Sequence, residues 1–119
     1  MSYTAAIGQA MIVNGAAVPA DNVCVVNMAG FRMDFFFNDL VTGMESHATG
    51  GYDIDQTRCM SISDAFGTGI TEGDLVMLEV DAYAGETLPG DTAMIYTPGT
   101  PTVTFTCTGT TLDYTCALL

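Results

Sequence analysis

The chain has 119 residues, of which 14 are acidic and only two, Arg32 and Arg58, are basic, for a formal net charge of -12. That balance excludes nucleic acid, whose phosphates are neutralised by many Lys and Arg side chains, and it excludes electrostatic attraction to anionic lipid. With 49% hydrophobic residues the chain is long and apolar enough to fold as one domain over 1–119, burying roughly two-thirds of its unfolded surface, yet no apolar run reaches the roughly 18 residues of a membrane span.

Charged residues are just 13% of the chain, so much of the surface must be Thr, Ser, Gly, Asn and Ala. Such a surface suits packing against identical copies or against carbohydrate. It equally suits solubility through net repulsion.

The opening "MSYTAAIGQAMIVNGAAVP" has no basic n-region and does not read as a signal peptide. Within it, "YTAAIGQAMIV" alternates as a strand with Tyr3, Ala5, Ile7, Gln9, Met11 and Val13 on one face. "NVCVVNMAGFRMDFFF" reads as a hairpin with Ala29-Gly30 at its tip. Its expected inward set is Cys24, Val26, Met28, Phe31, Met33, Phe35 and Phe37, leaving Phe36 with Arg32 and Asp34 on the other face. "NDLVTGMESHATGG" is the loosest stretch, a turn plus a short edge strand near 44–48.

"YDIDQTRCMSIS" alternates again, placing Asp53 and Asp55 on one strand face about 7 Å apart. With Asp74, or Glu72, from "TEGD" they form a candidate Ca²⁺ site, because that ion favours carboxylate and carbonyl oxygen. The EF-hand spacing is absent, and a solvated acidic face explains the same residues. "DAFGTGITEG" is mostly connection, with room for one turn of helix. "DLVMLEVDAY" is a strand with Val76, Leu78, Val80 and Ala82 facing in, and "TAMIYT" is another, in which Met94 and Tyr96 need a cover.

In the closing "VTFTCTGTTLDYTC", a two-residue turn at Gly109-Thr110 meets the type II′ requirement for positive φ. It pairs Cys107 with Leu112, Phe105 with Tyr114 and Val103 with Cys116. Cys107 and Cys116 then lie about 13 Å apart along the ladder, beyond disulfide reach. The four cysteines are either buried thiols or two disulfides. In the second case Cys24 approaches Cys107 or Cys116 across the core while Cys59 points away. No C-x-x-C or other zinc spacing occurs.

The lone histidine, His47, has no nucleophile motif around it, and G-x-S-x-G, H-E-x-x-H and a P-loop are all missing. Gly and Pro punctuate the chain every eight to twelve residues. That spacing predicts an antiparallel all-β domain of eight or nine short strands, a sandwich or jelly roll, with a closed barrel as the alternative.

Two functions fit these observations. The first is a non-enzymatic, self-assembling structural subunit of a filament, shell or extracellular coat, whose partner is a second copy of itself. The second is a carbohydrate- or lipid-binding module with a pocket formed by Tyr52, Asp53, Asp55 and Tyr83, assisted by Ca²⁺. Both lean toward an extracellular or surface-associated protein, while the sequence leaves the compartment open.

Overall fold

The computed structural model describes residues 17–83 and 85–119; the alternating segment at 3–13 lies outside them. In chain order the elements are β1 (Val18–Ala20), β2 (Asn22–Ala29), β3 (Met33–Asp39), β4 (Gln56–Ser61), α1 (Ile62–Phe66), β5 (Leu75–Ala82), β6 (Thr87–Pro89), β7 (Met94–Tyr96), β8 (Val103–Thr110) and β9 (Asp113–Leu118). The fold is an all-β sandwich of two sheets, ordered β1-β7-β5-β3 and β4-β2-β8-β9, with β6 also pairing β5. These strands form two separate sheets and do not close into a barrel.

Alternation builds the core. Met33, Phe35 and Phe37 of β3 face Val23 and Val25 of β2, Val76, Leu78 and Val80 of β5, and Phe105 of β8 in one buried cluster. Met94 and Tyr96 belong to the same cluster, which answers the question of what covers them. A smaller cluster of Leu75, Met77 and Ala93 packs with Leu40 and Ile95. The connection after β4 is the short α1, capped by Ser61, whose hydroxyl accepts from the Asp64 amide at 3.4 Å.

Three expectations about pairing are corrected. The sheets are mixed, because β1 runs parallel to β7 and β2 parallel to β8. Strands β2 and β3 form no hairpin; the chain crosses from one sheet to the other at residues 30–32. The face of β2 is also inverted. Val23, Val25, Asn27 and Ala29 are buried, whereas Cys24 and Val26 are half-buried and Met28 is exposed.

The cysteines are disulfide-bonded as Cys24–Cys59 and Cys107–Cys116. Each pair sits directly opposite across an antiparallel ladder, with Cα atoms 4.0 Å apart. Neither Cys24–Cys107 nor Cys24–Cys116 forms. The closing hairpin turns at Thr111-Leu112, not at Gly109-Thr110, so Thr110 pairs Asp113 and Cys107 pairs Cys116. Gly109 serves the strand instead. Its φ is +120°, and a Cβ there would collide with the Asp113 carbonyl and lie 2.8 Å from Tyr114 Cα.

Candidate functional site

Strand directions gather four connections at one end of the sandwich: 29–33, 51–56, 82–87 and 110–113. Backbone contacts tie them together. The Gly30 amide donates to Gly109 O at 3.0 Å, Asp55 to Asn27 O at 2.7 Å, and Tyr83 to Arg32 O at 2.9 Å. Asn27 organises the crossing. It is fully buried, its amide donates to Phe31 O at 2.8 Å and Tyr52 O at 3.3 Å, and its Oδ1 accepts from the Ala29 amide at 3.0 Å. A buried amide with its hydrogen-bonding capacity this fully used fixes backbone rather than costing stability.

At the centre of this end is Arg32. Its guanidinium forms an ion pair with Asp53 Oδ1 at 3.0 Å, donates to Gly51 O at 3.0 Å and lies 5.7 Å from the Tyr83 ring centroid. The hydrogen bond to Asp53 holds the guanidinium pKa above its ordinary value. The other cation, Arg58, lies over the Tyr52 ring at 5.3 Å. Gly51 lets the two side chains close over it: a Cβ there would come within 2.6 Å of the Tyr83 hydroxyl and 2.7 Å of Arg32 Nε, so both exposed side chains would have to move aside.

The residues expected to form a pocket separate into two environments. Asp53 and Tyr83 are exposed and meet through Arg32. Tyr52 is 1% exposed, and its hydroxyl donates to Val25 O at 3.0 Å, tying one sheet to the other. Burial pushes its phenol far above the ordinary range. Asp53 and Asp55 do not share a strand face. They flank a turn that precedes β4, and Asp55 has a left-handed φ of +68°, which Asp tolerates better than most residues.

Asp74 is placed elsewhere, buried between Thr71 and β5 and beside Asp39. Among the described residues no three His, Cys, Asp or Glu side chains converge to hold a metal ion, so Asp53, Asp55 and Asp74 do not form such a group. His47 is exposed, and the Ser46 hydroxyl donates to the His47 carbonyl at 2.8 Å, not to its ring.

The sheet edges are a second candidate surface. Along β3 the segment 44–52 covers the free edge. Backbone groups of Met33, Phe35, Phe37 and Asp39 pair with Tyr52, Thr49, Ser46 and Met44, and the Ser46 and Thr49 hydroxyls accept from the Phe37 and Phe35 amides. The edge of β9 is blocked by Asp91, whose amide donates to Cys116 O and whose carboxylate accepts from the Leu118 amide. Strands β1 and β6 have three residues each and contain Pro19 and Pro89. Strand β4 has six residues, no proline, and among the described residues no partner on its outer side.

Sequence reasoning did not find Arg32 or Asn27. Arg32 had a signal, being one of two cations in a chain of net charge -12. Asn27 had none, because its partners come from loops that only the topology brings near.

No family model and no curated protein matches the chain. Among solved structures it is similar to pneumolysin, with a TM-score of 0.47 and 11% identity, covering 83% of this chain and 23% of that one. A structure described as a "Trapped Toxin" gives a TM-score of 0.43 and 10% identity over the same shares. The chain thus spans about a quarter of the length of each. Similarity at this level carries no argument about function.

Proposed function

We propose that the protein is a non-enzymatic structural subunit that assembles with copies of itself through the free edge of β4. The observation that carries the reading is the contrast between edges: those of β3 and β9 are capped, those of β1 and β6 are short and contain proline, and β4 alone is a regular, uncapped strand among the described residues. Natural sheets that stay monomeric protect such edges, and an open one is a template for pairing.

The register says which groups are free. Directly opposed residues about 4.5 Å apart form a non-hydrogen-bonded pair, and Cys24 and Cys59 are 4.0 Å apart. The backbone groups of Thr57, Cys59 and Ser61 therefore point away from β2 toward solvent. The strand itself carries no carboxylate and one cation, Arg58, so the edge is locally free of the repulsion that a charge of -12 imposes elsewhere. The two disulfides fit an oxidising compartment outside the cytosol.

The test is mass in solution by light scattering behind a sizing column, with calcium and then with chelator. The expected result is a dimer or larger particle for the wild type and a monomer for Thr57→Pro. That substitution removes an outward N–H without breaking the inner ladder. A wild-type protein that stays monomeric at high concentration in both buffers overturns the proposal.

A further inference from the structure

Strand β4 lies in a strap that is anchored at both ends and pinned once between them. Tyr52, before it, is 1% exposed, and Ile62, after it, is fully buried. Main-chain bonds fix both anchors: Tyr52 and Met33 exchange amide-to-carbonyl bonds, and the Ile62 amide donates to Asp21 O at 2.8 Å. Between them, residues 53–59 are exposed and Met60 and Ser61 are half-buried. Arg58 lies over the Tyr52 ring and Met60 packs against the core. Otherwise the strand is attached by its ladder to β2 and by the Cys24–Cys59 bridge.

The other disulfide sits on a strand with anchors of its own. Strand β9 buries Tyr114 and Cys116, and the Tyr114 hydroxyl reaches Val80 O and Glu86 O across the sandwich. Cys107 and Cys116 are both buried, whereas Cys59 is exposed and Cys24 half-buried. Exposed disulfides are the labile, regulatory kind.

We infer that Cys24–Cys59 is a redox lock on β4, opened by a dithiol reductant. A thiolate of the reductant attacks the exposed Cys59 sulfur, forming a mixed disulfide, and the Cys24 sulfur leaves as a thiolate that takes a proton from water. The second thiol of the reductant, as its thiolate, closes on the first and releases Cys59 in the same way. Two electrons pass to the protein, and the reductant ends as a disulfide. Strand β4 carries no carboxylate, so an anionic thiolate meets less repulsion there than a net charge of -12 imposes elsewhere.

With the pin gone, β4 is held mainly by edge hydrogen bonds open to competition from water, each worth about 1 kcal/mol net, and the strap lifts off β2 between its anchors. Cys24 and Cys59 are a non-hydrogen-bonded pair, so the β2 backbone groups that lose partners include those of Val23 and Val25. Those of Cys24 and Val26 face β8 and keep theirs. One consequence rests on the assembly reading: the edge that pairs copies exists only in the oxidised protein.

Amide hydrogen exchange at single-residue resolution tests the lock, with limiting dithiothreitol as the reductant and peptide mapping to follow each disulfide. After reduction of Cys24–Cys59, the Val23 and Val25 amides are expected to exchange at least about tenfold faster than those of Cys24 and Val26. No such split is expected before reduction, and reoxidation with oxidised glutathione should abolish it. The Cys24→Ser/Cys59→Ser variant should show the split without reductant and ignore dithiothreitol. Equal rates at the alternate β2 amides after reduction overturn the inference, because the opening is then global. So does a split already present in the oxidised protein, or reduction of Cys107–Cys116 first. Light scattering of the same samples separates the two readings. An oxidised monomer overturns assembly, while the exchange split still decides the lock. An oxidised particle that survives reduction with the split present overturns the link between them.

Discussion

Asp39 and Asp74 meet carboxyl to carboxyl where the turn after β3 passes the start of β5, and no donor reaches Asp39 Oδ2, which is buried. The other oxygen of Asp39 accepts from the Val41 and Thr42 amides at 2.8 and 3.2 Å and closes that turn. Burial, and then the neighbouring Asp39, raise the Asp74 carboxyl above its ordinary pKa. A buried acceptor without a donor costs about 1–3 kcal/mol. Asp74→Asn supplies the missing donor, while its carbonyl still accepts from the Thr71 amide. The variant is expected to be more stable than the wild type by about 1–2 kcal/mol at pH 7, measured by urea titration. A loss of stability would show that the carboxylate pair is held by something other than its own geometry.

Two further carboxyls share the direction of that shift. Asp34 lies directly opposite Asp81 across the β3–β5 ladder, and burial followed by the charge of Asp81 raises it above 3.8. Glu79 is raised above 4.5, chiefly by burial, although a hydrogen bond from Asn38 opposes the rise. For a group whose folded pKa exceeds its unfolded value, the folded state binds the proton more tightly. The resulting stabilisation is complete below the unfolded pKa and is lost as pH rises through the folded one. The contribution of Asp34, Asp74 and Glu79 therefore falls as pH rises from about 4 into the range above their ordinary values. The midpoint of thermal unfolding is expected to rise as the pH is lowered toward about 4, and Asp81→Asn is expected to flatten that rise. A midpoint that falls steadily with acidification would contradict the assignment.

How much of this was legible depends on whether alternation was one-sided. Strand β3 and the second half of β5 carry polar residues on one face, and the expected inward sets, Met33, Phe35, Phe37 and Val76, Leu78, Val80, Ala82, are buried; Leu75 and Met77, on the other face of β5, are buried as well, in the smaller cluster. Strand β2 is apolar on both faces, so period-two reasoning had no marker except Asn27. That residue is buried, because loop backbone satisfies it. The hairpin register was misplaced by an even number of residues, which preserves faces. Phe105, Cys107, Tyr114 and Cys116 are buried as alternation requires, whereas the pairing, and with it the disulfide, followed the wrong turn. The Arg32 cluster is assembled from sequence-distant loops that only the two-sheet topology brings together.

The two disulfides differ in exposure and in the length of chain they close. Cys24–Cys59 lies on the outer face of the edge strand β4, where Cys59 is exposed, while Cys107 and Cys116 are buried in the core. Accessibility governs attack by an external thiol. Partial reduction followed by alkylation and peptide mapping is expected to label Cys24 and Cys59 first. The sequence separations are 35 and 9. On the chain-entropy account the longer loop contributes about 4 kcal/mol and the shorter about 2.5 kcal/mol. The Cys24→Ser/Cys59→Ser double variant should therefore lose more stability than its easy reduction suggests. Labelling of Cys107 before Cys59 would overturn the ordering.

Gly109 is the position where a single methyl group should do most harm. It is part of β8, pairs Tyr114, and has a φ of +120° that side chains rarely adopt. Its missing Cβ also leaves room for the Asp113 carbonyl and the Tyr114 backbone. The opposing strand cannot yield easily. The Tyr114 hydroxyl lies 3.0 Å from Val80 O and 2.6 Å from Glu86 O, fixing β9 to the other sheet, and Cys116 is tied to Cys107 two residues away. Gly43 has a comparable φ of +81°, but nothing lies within 4 Å of its missing Cβ. Gly43→Ala is expected to cost about 1 kcal/mol, the backbone term alone. Gly109→Ala adds a steric clash and is expected to cost at least about 3 kcal/mol, by urea titration of both variants. Equal costs would mean that the hairpin does not approach itself this closely at Gly109, and that its register must be drawn again.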